Sequence, residues 1–240
     1  MSKFNQVYWT AKITKPNWYM EFLPWFKKMK NSVDENSKEA KDLKEQIRLF
    51  FEENLATGKV ALGKTGQNFD AEREPINTIV IHHTSAEPGY RLDYMNAVQL
   101  INVYAPYYAA PTESEKHLRG QPIWSGHLKN GQQVFYAYHW LMRMDGSFER
   151  LLTDNEIGWQ AGDWGINKRS VGICLDNDYE NQDPTNEILQ KLAAHIKLHY
   201  PQVEPNGVIG HCEANKGTIC PGKNFLSGWK PEIIKLLKSS

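Results

Sequence analysis

The sequence predicts an α/β protein with a helical segment towards its N-terminal end, and three observations carry that prediction. Short apolar, β-favouring runs stand apart from their surroundings at residues 76–84 (Ile-Asn-Thr-Ile-Val-Ile-His-His-Thr) and 170–178 (Ser-Val-Gly-Ile-Cys-Leu-Asp-Asn-Asp). Runs this short, bounded by turn-forming residues, suit strands better than helices. Around them lie longer stretches of helical spacing, at 34–55 and after Pro184. The first run also stops on two histidines, His82 and His83, and the carboxyl ends of strands are where α/β sheets usually hold ligands.

The bulk numbers narrow the field. The 240 residues suffice for one large or two small domains. With 28 basic and 28 acidic residues the formal charge is zero, which gives no global electrostatic case for nucleic acid or an anionic membrane. Eight Trp and eleven Tyr lean towards a carbohydrate or peptide cleft, although aromatic rings are also core material. Three cysteines, Cys174, Cys212 and Cys220, make no disulfide framework and fit a reducing compartment or a thiolate ligand. No apolar run approaches the ~20 residues of a membrane helix. The first twenty residues hold no continuous apolar stretch of the secretory kind, so the expected location is cytoplasmic, compatible with later release to the cell wall.

In chain order, residues 1 to about 33 are aromatic and basic, with Trp9, Trp18, Tyr19, Phe22, Trp25 and Phe26 beside Lys27, Lys28 and Lys30. Residues 34–55 are rich in strong helix formers, and Leu43, Ile47, Phe50 and Phe51 share one face while Leu49 falls off it. A layer packed on the rest of the protein explains this stripe better than a wall- or partner-binding extension, because such stripes are ordinarily core. Gly58 can stop the helix, and residues 59–75 read as a polar linker. Residues 85–135 form a long insertion that begins with helical spacing at Met95, Val98, Leu100 and Ile101 and then turns Tyr- and Pro-rich. Asp145-Gly146 marks a hairpin between strands near 134–143 and 147–152, and Lys129-Asn130-Gly131 marks another turn. Asp183-Pro184 is placed at the cap and first position of a helix whose buried face is Ile188, Leu189, Leu192, Ile196 and His199 or Tyr200. A short strand at 208–210, a loop at 212–224 and a last helix at 230–238 follow.

The chemistry concentrates in three places: His82-His83, Tyr138-His139-Trp140, and the stretch from Gly210-His211-Cys212 to Cys220-Pro221-Gly222. A catalytic zinc needs three protein donors and one open position, and imidazole and thiolate are suitable donors. His82, His211 and Cys220 would supply such a set. Each alone is better explained as a packed or hydrogen-bonded residue, and the spacing of His211 and Cys220 is none of the compact zinc signatures. Successive strand residues point to opposite faces, so His82 and His83 cannot readily serve one ion.

From about Asn77 to Trp229 the sequence resembles the type-2, zinc-dependent N-acetylmuramoyl-L-alanine amidases, the family of phage lysozyme-amidases and peptidoglycan recognition proteins. TIVIHHT, YHWLMRMDG, GWQAG, NKRSVGICL and GHCEANKGTICPG carry the resemblance, in the family's order. It implies a central mixed β-sheet flanked by helices, with residues 1–70 an N-terminal helical extension and linker and 71–240 the catalytic domain. It implies zinc on His82, His211 and Cys220, with His83 either structural or supporting a ligand from behind. It places Tyr138 where members hold the substrate carbonyl or the water, and Thr218 where they steady the developing oxyanion, in preference to Lys216. The expected reaction is hydrolysis of the amide between N-acetylmuramic acid and L-alanine in peptidoglycan or its muropeptides, and 85–135 together with 159–164 would line the cleft. Tyr104, Tyr107, Tyr108, Trp124, Trp159 and Trp164 form the set from which sugar- or peptide-stacking rings would come.

The sequence departs from the pattern at Gln160, where many members carry histidine, and at Cys174, where some carry glutamate. Glu213 is read as a loop or cap residue. The competing readings are a peptidoglycan-binding module without catalysis, which would typically lack Cys220, and a helical interaction protein built on residues 1–60.

Overall fold

A computed structural model describes residues 4–34 and 37–239. Three helices come first: α1 (Gln6–Lys12), α2 (Tyr19–Asn31) and α3 (Lys38–Ala56). Strand β1 (Thr78–His83) precedes α4 (Leu92–Gln99) and α5 (Ala105–Ala109), then β2 (Leu128–Lys129), β3 (Gln132–Gln133), β4 (Trp140–Met142) and β5 (Phe148–Arg150). The chain ends through α6 (Trp164–Arg169), β6 (Ser170–Leu175), α7 (Asn186–His199), β7 (Val208–Gly210), the single turn α8 (His211–Ala214) and α9 (Lys230–Lys238). No described helix is long and apolar enough to cross a membrane.

Two compact units emerge, Met1–Asn68 with Arg91–Phe135, and Phe69–Tyr90 with Tyr136–Ser240. The boundary expected from sequence lies at 70/71, with 85–135 in the catalytic part. The helices of 91–135 instead complete the core of the N-terminal unit.

In that first unit α3 begins where the Ser37 hydroxyl accepts the Ala40 N–H, and Gly58 closes it with φ 66°. The expected start at 34–36 covers Glu35 and Asn36, which lie outside the described residues. Ile47, Phe50 and Phe51 are buried while Leu49 is exposed, as the periodicity requires. Phe51 packs against Phe22 and Trp18 at ring distances of 4.9 and 5.0 Å. Tyr94 of α4 accepts from Arg48 at 2.6 Å and donates to Glu45 at 2.5 Å, tying α4 to α3. The segment 59–68 is stitched to this unit by Ala61 N–H to Ile13 C=O and Gly63 N–H to Ile123 C=O, both 2.8 Å. Tyr104 and Tyr108 are core, not cleft: Tyr108 donates to the Trp124 carbonyl at 3.0 Å.

The second unit is built on a five-stranded sheet of order β5-β4-β6-β1-β7. Only β4–β5 is antiparallel, so the sheet is mixed. Strands β1 and β6 lie at its centre, and every residue of both is buried, as their continuous apolar runs require. One face packs on α7 and α9 through Ile79, Ile81, Val171, Ile173, Leu192, Ile196 and Ile233. The hairpin turns at Asp145-Gly146, where the Asp145 carboxylate accepts the Ser147 N–H at 2.8 Å.

Two local expectations change. The strand foreseen at 134–143 shrinks to Trp140–Met142, because the His139 imidazole Nδ1 takes the Gly172 N–H that a strand carbonyl would otherwise accept. The cap of α7 is Thr185, whose hydroxyl accepts the Ile188 N–H, and Pro184 precedes the cap instead of occupying the first turn. His199 is exposed and Tyr200 buried, which resolves that pair.

Candidate metal centre

The strand β1 places His82 and His83 on opposite faces. His82 is 1% exposed, on the face away from the aliphatic layer. His211 follows β7, the other neighbour of β1, and its ring centre lies 4.7 Å from that of His82. A residue larger than Gly210 could not precede it there, since an added Cβ would lie 2.6 Å from Phe225 and 2.8 Å from Pro221. Glu213 holds the turn, accepting the Gly210 N–H at 2.9 Å and pairing with Lys230 at 2.6 Å.

Cys220 returns to the same place. Its carbonyl accepts the Cys212 N–H at 2.7 Å, and its own N–H is taken by the Thr218 hydroxyl at 3.1 Å. Its Sγ lies 3.7 Å from His82 Nδ1. One donor atom from each of His82, His211 and Cys220 lies within 4.8 Å of the other two. The Tyr138 ring sits 4.8 Å from the His82 ring. Thus four of the five predicted residues converge directly, and Thr218 joins them through the Cys220 backbone. Lys216 is exposed.

The donor set fits a divalent cation. Burial, reinforced by the neighbouring His211, holds His82 well below the ordinary histidine range, and burial lowers His211 as well. Both imidazoles are therefore neutral with lone pairs to give. Burial pushes the Cys220 thiol up to about 12, so a thiolate at this position needs a cation beside it.

His83 faces away and is satisfied without a metal. Its Nδ1 accepts the Tyr179 N–H at 2.9 Å, and its Nε2 meets the Ser85 hydroxyl at 2.9 Å. With Asp178 3.7 Å from Nδ1, the group has the outline of a Ser-His-Asp triad. The tautomer excludes that chemistry: Nδ1 accepts, so Nε2 carries the proton and donates to Ser85, and the ring cannot take the serine's proton.

Sequence reasoning missed the support around His82. Its Nε2 meets the Gln160 side-chain carbonyl. In the sequence Gln160 stands out only as a departure from a histidine; the chemistry of an amide, which both accepts and donates, is the available signal. Cys174, the register partner of His82 across β1 and β6, is fully buried and its thiol is raised by that burial, so it offers no titrating group. Trp159 and Trp164 pack edge-on against Phe69, and Trp164 donates to Glu72 at 2.9 Å.

Fold and site together define a hydrolase built on a mixed α/β sheet, with a His-His-Cys set able to hold one divalent cation. The N-acetylmuramoyl-L-alanine amidase family model (Amidase_2) matches residues 72–223, and the chain belongs to that family. Its activity is accordingly that of an amidase acting on peptidoglycan. The chain is 25% identical over 176 residues to the 1,6-anhydro-N-acetylmuramyl-L-alanine amidase AmpD of Haemophilus influenzae, covering 66% of this chain and 83% of that protein. Among solved structures it is similar to the endolysin amidase LysCS of Clostridium intestinale, with 20% identity, TM-score 0.46, and coverage of 73% and 90%. It is also similar to Drosophila peptidoglycan recognition protein SD, with 19% identity, TM-score 0.41, and coverage of 66% and 79%.

Proposed function

We propose that the protein is a zinc-dependent hydrolase of the amide that joins N-acetylmuramic acid to L-alanine in peptidoglycan or its muropeptides. The observation that carries this reading is the convergence of His82, His211 and Cys220 within 4.8 Å, in a chain whose family cleaves that bond. Zinc held there would act as a Lewis acid on the scissile carbonyl and lower the pKa of a water to about 7. Three protein donors would leave such a cation accessible to a water.

The chain's own residues do the rest. Tyr138, against His82, donates its phenol proton to the carbonyl oxygen as negative charge gathers there. Thr218 keeps its hydroxyl oxygen on the Cys220 N–H and has its proton to offer to the same oxygen. One such donor is worth about 3 kcal/mol where water is excluded. Neither Gln160 nor Cys174 can relay a proton and the Tyr138 proton is committed to the carbonyl oxygen, so the attacking water passes its proton to the leaving amine. A non-catalytic binding role is disfavoured because Cys220, typically absent from such modules, is present and positioned.

Mass spectrometry of the products from a defined muropeptide tests the bond: the expected pair is a peptide with a free L-alanine amine and an intact muramic acid carboxylate. A purified, folded His211→Ala protein should hold no stoichiometric zinc and release no peptide. Full activity and full zinc content in that variant would sink the proposal.

A further inference from the structure

We propose that Gln160 is a positioning residue of the metal centre. Its side-chain carbonyl accepts the Nε2 proton of His82, and this fixes the tautomer that leaves the Nδ1 lone pair facing His211 and Cys220. The inference rests on the metal reading above and assigns a role to a residue that acts through His82.

Geometry allows only one useful arrangement. His82 Nε2 meets Gln160 Oε1, while His82 Nδ1 lies 3.7 Å from Cys220 Sγ. A neutral imidazole carries one proton. If Gln160 accepts, the proton is on Nε2 and Nδ1 is a ligand. If the amide were turned over, its NH2 would donate to Nε2, the proton would move to Nδ1, and the nitrogen facing the cluster would have no lone pair.

The amide is held between His82 and Ser170. Gln160 Nε2 donates to the Ser170 hydroxyl at 2.8 Å. The backbone on both sides of the side chain is pinned, since the Gln160 and Ala161 N–H groups both donate to Asn167 Oδ1, at 3.2 and 2.8 Å. Ser170 and Asn167 are anchored in turn by Arg73, whose Nη1 donates to their carbonyls at 2.9 and 3.1 Å. Gly172 of β6 leaves the lane open: a Cβ there would press on Gln160 Cγ at 3.0 Å. Gln160 is itself only 5% exposed, so water does not readily replace its carbonyl. Partners of this kind orient a ligating imidazole and raise its basicity, and their loss typically costs about 10- to 100-fold in metal affinity.

The test measures zinc affinity of the whole chain by competition with a chromophoric chelator, alongside the d–d spectrum of the cobalt form. Gln160→Met, close in shape but without an acceptor, should bind zinc about 10- to 100-fold more weakly. Gln160→Glu, which keeps an acceptor, should stay within about threefold of wild type on the same scale. Long-range proton–nitrogen correlation on the metal-free wild type should show His82 protonated on Nε2. Three results overturn the inference: Gln160→Met within threefold of wild type, Gln160→Glu as weak as Gln160→Met, or His82 protonated on Nδ1. A merely structural Gln160 would lower the melting temperature of both variants and leave zinc affinity unchanged. Should Gln160→Met not fold, the tautomer measurement stands, and Ser170→Ala, which frees the amide to turn, must weaken zinc at least threefold. A wild-type protein that binds no zinc would overturn the metal reading itself.

Discussion

The two units bury different things. The first, made of α1–α5 and the segments stitched to them, has a core of aromatic rings: Trp9, Trp18, Phe22, Phe50 and Phe51 meet edge-on or tilted at about 5–6 Å. The second has an aliphatic layer on one face of its sheet and carries most of the buried polar side chains among the described residues, including His82, Gln160, Asn167 and Ser170. Burying a polar group costs stability unless it is hydrogen-bonded. A region that carries many, most of them hydrogen-bonded, has been shaped by something besides stability. The contrast teaches where to look for chemistry: in the buried network, and not among the abundant aromatic rings that composition brings forward.

That contrast can be attacked from both ends. The largest effect belongs to the first unit. Phe51→Ala should lower unfolding stability by about 3–5 kcal/mol, the usual cost of emptying an aromatic core position. Denaturant titration followed by tryptophan fluorescence measures it, and the folded variant should still bind zinc stoichiometrically. A loss under about 1 kcal/mol would mean that the rings are not the core they resemble.

In the second unit the effects should fall on function. Tyr138→Phe should reduce turnover about 100-fold, the equivalent of one oxyanion donor, with zinc affinity unchanged. Steady-state kinetics on a soluble muropeptide reads this; an unchanged rate would remove Tyr138 from the chemistry.

The Cys220 thiol makes metal binding depend on pH. Its value near 12 in the metal-free protein means that binding expels a proton throughout the neutral range. With both imidazoles already neutral above about pH 6.5, apparent zinc affinity should rise about tenfold per pH unit between 7 and 9. In Cys220→Ser the slope should disappear and the zinc be stripped by chelator far sooner. A pH-independent wild-type affinity would exclude the thiolate as a ligand.

Acid sensitivity from His139 comes last because it is nil at neutral pH and accumulates only on acidification. Burial, and then the nearby Arg73, lower it to about 3, and it stays neutral with Nε2 donating to the Glu156 carbonyl at 2.9 Å. An unfolded histidine takes up its proton near 6.5. Below that pH the unfolded chain binds one proton that the folded chain refuses. Its contribution is thus whole above about 6.5 and falls by about 1.4 kcal/mol per unit as the pH drops towards 3. Proton NMR of the metal-free protein should show no His139 titration above pH 4, and a midpoint near 6.5 would contradict its burial.

Much of this was legible in the residues alone. Strand β1 and helix α9 lie close to where their local patterns put them, because burial on both faces and helical periodicity are written in consecutive residues. The α3 stripe likewise predicted which side chains are buried. The candidate ligands were legible only jointly, through the order of several short motifs, since a histidine at a strand end says little by itself. The strand at 134–143 was overdrawn for a reason invisible locally: the His139 side chain competes with its backbone for Gly172.

The sequence by itself determined the central strands, the long amphipathic helices, and His82, His211, Cys220, Tyr138 and Thr218 as the residues to examine. Only the tertiary structure decided that 91–135 completes the N-terminal unit, that Thr185 caps α7, and that Gln160 stands behind His82. The physical reason is distance along the chain. Periodicity and capping act over a few residues, whereas the contact between His82 and Gln160 joins positions 78 apart and forms only when β1 and β6 lie side by side. Which hydrogen-bond acceptor a buried imidazole meets, and therefore which of its nitrogens is left to bind a metal, is settled by that packing.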